Sequence, residues 1–218
     1  MQATERAFAD RREAGRFLGE RLMLYRCAMP IVLALPRGGV PVGYEIAVSL
    51  NAPLDVLTVR KIGAPGDPEL GIGAVASHGT LIVDEPAVHA LGIDGPTLFR
   101  LIKAEYRELA RRERVYRGDA PFPNLRSRTV IIADDGLATG VSARAAIDAV
   151  RQRGAGRIIL AVPVGARETI RTIPIDVDDV ICLSCPSNLG AVGYWYRDFE
   201  QVTDESVIAL LKAAESWG

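Results

Sequence analysis

Two adjacent aspartates at the end of an apolar run are where this sequence could do chemistry. Residues 130–142 read Val-Ile-Ile-Ala-Asp-Asp-Gly-Leu-Ala-Thr-Gly-Val-Ser. Val130, Ile131 and Ile132 have the composition of a strand buried on both faces. Asp134 and Asp135 follow it, and Thr139-Gly140-Val141-Ser142 opens a segment with helical character. Each feature alone is ordinary, because an Asp forms turns and Thr or Ser caps helices. Together they suit a phosphorylated sugar. Free amides at a helix N-terminus bind phosphate, helped by the helix dipole. Two carboxylates can accept hydrogen bonds from a vicinal diol and sit near a divalent cation.

Three other stretches carry candidate groups. Leu35-Pro36-Arg37-Gly38-Gly39 follows a short apolar run and leads into Val40–Ala47. Gly-Gly there is a turn by default, and successive free amides in such a turn can also form an anion-binding nest. Arg60-Lys61 heads Ile62-Gly63-Ala64-Pro65, and two cations at a strand end are ordinarily solvated. The segment from Pro186 to Phe199 holds Tyr194, Trp195 and Tyr196, which could simply pack together.

The elements that must position these groups alternate between strand and helix. That alternation argues for an α/β fold with a largely parallel sheet. Asp10–Tyr25 reads as an amphipathic helix carrying Ala14, Phe17, Leu18 and Leu22. Ile31–Leu35 and Leu54–Val59 read as strands, with a helix over Val40–Leu50 between them. Residues 62–71 carry Gly and Pro at a density that excludes regular structure. Ile72–Ala76 and Thr80–Val83 suggest a hairpin across Ser77-His78-Gly79. Asp94 could cap a long charged helix over 94–117, whose arginine-rich end suits a solvated helix C-terminus. Val130–Ala133, Arg157–Val164 and Val180–Ser184 supply further strands, with a helix at Ser142–Arg153 and a last one at Thr203–Glu215. In an open α/β sheet, ligands bind beyond the carboxyl ends of the strands. The candidate groups fall at such ends.

The run at 130–142 resembles the phosphoribosyl-pyrophosphate (PRPP) loop of type I phosphoribosyltransferases. There, hydrophobic residues precede two acids and an x-x-[Ala/Asp/Thr]-Thr-Gly-x-[Thr/Ser] tail. The order of elements is also similar to that family's core, which carries a smaller hood built from the chain ends. The resemblance implies one domain over 1–218, with a core of about 26–185 and a hood from about 1–25 and 186–218. It implies that Ala138, Thr139, Gly140, Val141 and Ser142 cradle the 5-phosphate. Asp134 and Asp135 would hold the ribose hydroxyls and, partly through PRPP and water, Mg²⁺. Arg37, Gly38 and Gly39 would meet pyrophosphate. Arg60 and Lys61 resemble the basic pair of adenine phosphoribosyltransferases that also meets pyrophosphate, with 62–71 as a mobile lid. Leu189, Ala191, Tyr194 and Trp195 would line a base pocket. Gly136 departs from the bulkier apolar residue usual there, which suggests a more flexible loop.

The implied reaction moves ribose 5-phosphate from PRPP to a nitrogenous base. The acceptor is less legible. Hypoxanthine-guanine enzymes carry an Asp where this chain has Ala138, and a lysine where it has Pro163. Both departures argue against a 6-oxopurine. The family's usual assembly implies a homodimer. A non-catalytic sensor of PRPP or nucleotides on the same scaffold is the alternative reading. An unrelated Mg²⁺-dependent phosphatase or receiver-like domain would leave Arg37–Gly39, Arg60–Lys61 and Thr139–Ser142 unexplained. No Gly-x-Gly-x-x-Gly opens a first strand–helix unit, which disfavours dinucleotide binding.

Composition sets the remaining bounds. The chain has 218 residues and a formal net charge of −1. Near-neutral charge gives no general pull towards nucleic acid or anionic membrane. No apolar run is long enough to span a bilayer and no leader pattern opens the chain, so a cytoplasmic setting is expected. Cys27, Cys182 and Cys185 are an odd count, which fits a reducing compartment. Cys182 and Cys185 form a lone CxxC without a second pair and read as small apolar side chains at a strand end. His78 and His89 have no evident ligand constellation.

Overall fold

The computed structural model describes residues 8–173 and 177–215, with the side chains of Pro68, Glu69 and His78 outside that description. The outermost parts of the expected hood, 1–7 and 216–218, also lie outside it. Helix α1 (Arg11–Leu22) precedes β1 (Ile31–Ala34), α2 (Gly39–Leu50) and β2 (Leu54–Val56). Strands β3 (Val59–Ala64), β4 (Asp67–Ala76) and β5 (Thr80–Val83) come next, followed by α3 (Glu85–Ala90) and α4 (Gly95–Arg117). Then β6 (Thr129–Ala133), α5 (Val141–Gln152), β7 (Arg157–Val164), α6 (Arg167–Thr172) and β8 (Asp179–Ser184) alternate, and α7 (Asp204–Glu215) follows.

Two sheets result. The central one is parallel with strand order β2-β1-β6-β7-β8, and the smaller one is antiparallel with order β3-β4-β5. Successive side chains in a strand face opposite ways, so each apolar strand feeds two cores. Val130 and Ile132 join Ala146, Ile147 and Val150 of α5, whereas Ile131 and Ala133 join Leu18 and Leu22 of α1 and Val42 and Ile46 of α2. Cover on both faces is why these strands read as continuous apolar runs.

Helix α1 buries Ala14, Gly15, Leu18, Gly19 and Leu22, and leaves Phe17 partly exposed. The buried stripe therefore includes two glycines that a hydropathy reading passes over. A Cβ on Gly15 would sit 2.7 Å from the Val42 carbonyl oxygen, so α1 lies close on α2.

Two stretches depart from the sequence expectation. Leu54–Val59 is not one strand. The chain leaves the parallel sheet after Val56 and enters the antiparallel sheet at Val59, with Leu57 and Thr58 buried between. A reciprocal clasp holds this crossover. The Thr58 amide donates to Ser77 Oγ at 3.1 Å, and that hydroxyl donates to the Thr58 carbonyl at 3.2 Å. The second departure is 62–71, which is regular rather than irregular. It forms the end of β3, a turn at Pro65-Gly66 with Gly66 at φ +80°, and the start of β4. Its glycines do not break the strands: Gly66 makes the turn, and a Cβ on Gly71 would lie 3.2 Å from Lys61 Cδ. The pairing shifts register on both sides of Gly63, and a Cβ on Gly73 would run into the Ile82 carbonyl. Helix α4 covers this sheet, with Leu98, Leu101, Ile102 and Leu109 against Ile62, Ile72 and Val75. Its cap is the expected one, the Thr97 amide donating to Asp94 at 2.7 Å.

Candidate active site

From β1 the chain first builds β2 on one side, and later returns to build β6 on the other. The strand order reverses between β1 and β6, and loops leaving two such strands border a crevice. The loop after β1 holds Pro36–Gly38, with a cis Pro36–Arg37 peptide, and the loop after β6 holds Asp134 and Asp135. The two loops touch. The Leu35 amide donates to the Ala133 carbonyl at 2.9 Å. A Cβ on Gly39 would lie 2.7 Å from that same carbonyl oxygen, and one on Gly38 would overlap the Asp135 carboxylate. The glycine pair is therefore what lets the β1 loop lie against the acidic pair. Only part of the expected anion nest is open, because the Gly39 amide donates to the Leu35 carbonyl at 3.0 Å.

The acidic pair is fixed by its own backbone and by distant residues. The Asp135 amide donates to Asp134 Oδ1 at 2.9 Å, and the Asp134 amide donates to the Ala161 carbonyl at 3.2 Å. Desolvation, then the neighbouring Asp135 charge, pushes the Asp134 carboxyl well above the usual carboxylate range. Asp135 Oδ2 accepts from Arg11 Nε at 2.8 Å. Tyr196, only 1% exposed, donates its hydroxyl to the Asp135 carbonyl at 2.6 Å. Burial, then the Asp135 charge, raises this phenol beyond its ordinary range, so it acts as a donor throughout the physiological range.

Helix α5 begins at Val141, after the short loop 136–140 that follows this pair. Gly140 takes φ +79° at its N-cap, a conformation that glycine adopts without strain. Ala138 and Thr139 are exposed and Ser142 is exposed in the first turn. The first amides of a helix lack intrahelical acceptors, so this exposed entry can take an anion. The loop is anchored from the side of β7 and α6. The Leu137 amide donates to the Val164 carbonyl at 2.8 Å, and Thr169 Oγ1 donates to the Ala138 carbonyl at 2.6 Å. Gly136 has a packing role in place of the expected flexibility, because the Val192 side chain occupies the space a Cβ would take.

The other expected residues distribute unevenly. Arg37 faces this cleft, its Nη1 3.8 Å from Asp204 Oδ1. Asp204 also accepts from the Tyr116 hydroxyl at 2.6 Å, and burial, then this bond, pushes Tyr116 up to about 12. Arg60 and Lys61 lie inside β3 rather than at a strand end. Arg60 pairs with Glu105 of α4 at 2.8 Å, on the same face as Ile62, and the Lys61 stem runs over Gly71 on the other. The 186–199 segment folds on itself. Trp195 Nε1 donates to the Leu189 carbonyl at 3.0 Å, Leu189 is buried, and Ala191 and Tyr194 are exposed.

A cleft of about 320 Å³ is lined by Arg11, Arg37, Gly38, Asp135, Phe199 and Val202, among others. Motif reading missed Arg11, Tyr196, Phe199 and Thr169. Arg11 had one local signal, its place just after the helix cap Asp10, which accepts from the Glu13 amide at 2.7 Å. Its partner Asp135 is 124 positions away, which no spacing rule reaches.

Among the described residues, no cluster of three His, Cys, Asp or Glu side chains is placed to hold a metal. Cys182 lies in β8, where burial, then its bond with Cys185, raises its thiol. No described helix is long and apolar enough to cross a membrane.

The sequence pattern of the phosphoribosyl transferase domain matches residues 9–198, which spans the acidic pair and both flanking loops. The chain belongs to that family. This phosphoribosyl transferase domain is 42% identical over 208 residues to two Mycobacterium tuberculosis proteins named "Putative phosphoribosyl transferase". The match covers 95% of this chain and 47% of those proteins, so the chain spans about half the length of these curated relatives. The crystal structure of TT1426 from Thermus thermophilus is 42% identical, with a TM-score of 0.82 over 94% of this chain and 97% of that one. A Neisseria gonorrhoeae protein solved with bound ppGpp shares the fold alone, at 10% identity and a TM-score of 0.51 over 93% and 92% of the two chains.

Proposed function

We propose that this domain transfers ribose 5-phosphate from PRPP to a nitrogenous base and releases pyrophosphate. One observation carries the reading. The Gly38–Gly39 loop lies against the Asp134–Asp135 pair, and a short loop, 136–140, joins the pair to the exposed entry of α5. This arrangement offers adjoining sites for a diphosphate, a sugar diol and a phosphate. The 5-phosphate would take the amides and hydroxyls of Ala138–Ser142. Asp134 and Asp135 would accept hydrogen bonds from the ribose hydroxyls. In the reaction the bond from the anomeric carbon to pyrophosphate oxygen breaks, and a bond to base nitrogen forms. The transition state carries cation-like charge, so the residues act by holding the sugar and stabilising the departing anion. Arg37 and Lys61 are the cations for that anion, and the hairpin carrying Lys61 would shield the centre from water.

The donor set suits Mg²⁺, because carboxylates are hard oxygen ligands. Two protein carboxylates fill only part of its shell, so PRPP oxygens and water would complete it. Mg²⁺ would neutralise charge on the diphosphate. The acceptor would sit by Leu189, Ala191, Tyr194 and Trp195. Ala138 and Pro163 favour a base other than a 6-oxopurine. A homodimer belongs to the same proposal.

The test is a panel of free bases incubated with PRPP and Mg²⁺, read by nucleotide formation. One base should give nucleotide and pyrophosphate in equal amounts. PRPP binding without turnover across the panel would replace the enzyme with a sensor. Failure to bind PRPP at all would end both.

A further inference from the structure

Arg11 approaches the acidic pair from the opposite end of the chain. Its side chain is 11% exposed, and that of its partner Asp135 is 18% exposed. Two of its contacts do not involve Asp135. Nη1 donates to the Glu200 carbonyl at 2.8 Å, and the guanidinium lies 3.6 Å from the centre of the Phe199 ring. That ring stacks on Tyr196 with 5.0 Å between centroids, and Tyr196 holds the Asp135 carbonyl. One charge-assisted bond and a braced guanidinium therefore engage Asp135.

This arrangement matters for any cation that would use Asp135. A divalent ion must break a 2.8 Å bond between opposite charges and also tolerate a positive neighbour. The ion alone has nothing to offer Arg11 in exchange. A diphosphate entering the same cleft does, because Arg11 and Arg37 both line it. We infer that Arg11 holds on Asp135 the place that the divalent cation takes in the loaded domain, so that metal enters together with its anionic ligand. This rests on the reading above, in which Asp134 and Asp135 share Mg²⁺ with PRPP. The anchors on Phe199 and Glu200 survive loss of the Asp135 bond. Arg11 then turns from carboxylate to diphosphate without leaving the site. Metal and diphosphate binding become mutually favourable, since each removes an obstacle to the other.

The experiment measures Mn²⁺ binding to the free protein by electron paramagnetic resonance, with and without PRPP. Wild type should bind Mn²⁺ weakly alone and much more tightly with PRPP. Arg11→Gln should bind Mn²⁺ alone about tenfold tighter, and its gain from PRPP should shrink by the same factor. Arg11→Lys keeps the charge and should stay near wild type. A second measurement needs no variant. In protein labelled with ¹⁵N-arginine, the hydrogen-bonded Arg11 Nε–H signal should shift when Mg²⁺ and PRPP are added together, and stay put with Mg²⁺ alone. Unchanged bare Mn²⁺ affinity in Arg11→Gln, or an Nε–H signal that ignores the full ligand, overturns the inference while PRPP binding stands. A wild type whose Mn²⁺ binding never responds to PRPP overturns the reading beneath it as well.

Discussion

Asp134–Asp135 and Arg60–Lys61 are both like-charged pairs beside apolar strand residues, yet the fold treats them differently. The acidic pair follows the end of β6, where the chain has left the sheet. Strand alternation no longer applies there, and the Asp135 amide bonds back to the Asp134 carboxylate. Both acids stay at one crevice. The basic pair lies within β3, where alternation continues. Arg60 turns to Glu105 on α4 while Lys61 faces the other way. Identical spacing in sequence thus keeps two acids together beside the β1 loop in one region and sends two cations to opposite faces of a strand in the other.

The contrast can be broken first at the acidic pair. Asp134→Asn combined with Asp135→Asn should lower PRPP-dependent turnover by about 10³-fold or more, judged against losses seen for single transition-state donors. Steady-state kinetics with wild-type values would remove both from the site. The basic pair gives the next largest effect, and an asymmetric one. Lys61→Ala should lower kcat about 10²-fold with little change in PRPP affinity, whereas Arg60→Ala should cost far less. Equal losses in the two variants would contradict the opposite-face arrangement, and equal effects on kcat and affinity would end the leaving-group role proposed for Lys61.

The smallest effect sharpens the contrast by separating scaffold from site on α4. Hydrogen bonds from Arg111, then Arg112, lower the Glu108 carboxyl from 4.5 to about 2. A lowered acid supports the fold above its unfolded value and loses that support as pH falls towards its folded value. Glu108 is at the surface, so water screens most of the gain. Glu108→Gln should reduce Tm by about 1–2 °C at pH 7 and not at all near pH 2, with turnover unchanged. Calorimetric scans across that range check it, and a change in turnover would move α4 from scaffold to site.

Much of the central sheet was legible because its signals are local. Ile31–Ala34, Val130–Ala133 and Arg157–Val164 are apolar runs bounded by turn residues, and each became a strand buried on both faces. The hairpin was misread because Gly and Pro have two meanings. In 62–71 they suggested a loop, but Gly66 makes a tight turn and Gly71 lies under the Lys61 side chain within a paired strand. The same ambiguity misplaced Gly136, whose missing side chain makes room for Val192 from the far end of the chain.

The order of residues by itself determined the parallel α/β core, the motif at 130–142 and the entry of α5 beside it. Those features depend on neighbours in the chain, through strand alternation, helix periodicity and glycine's freedom at Gly140. Only the folded chain decided that Arg11 would meet Asp135, that Tyr196 would brace it and that Arg60 would face Glu105. These contacts join residues far apart in sequence. Their partners are selected by which strands lie side by side and which helices cover them, and no local pattern encodes that geometry.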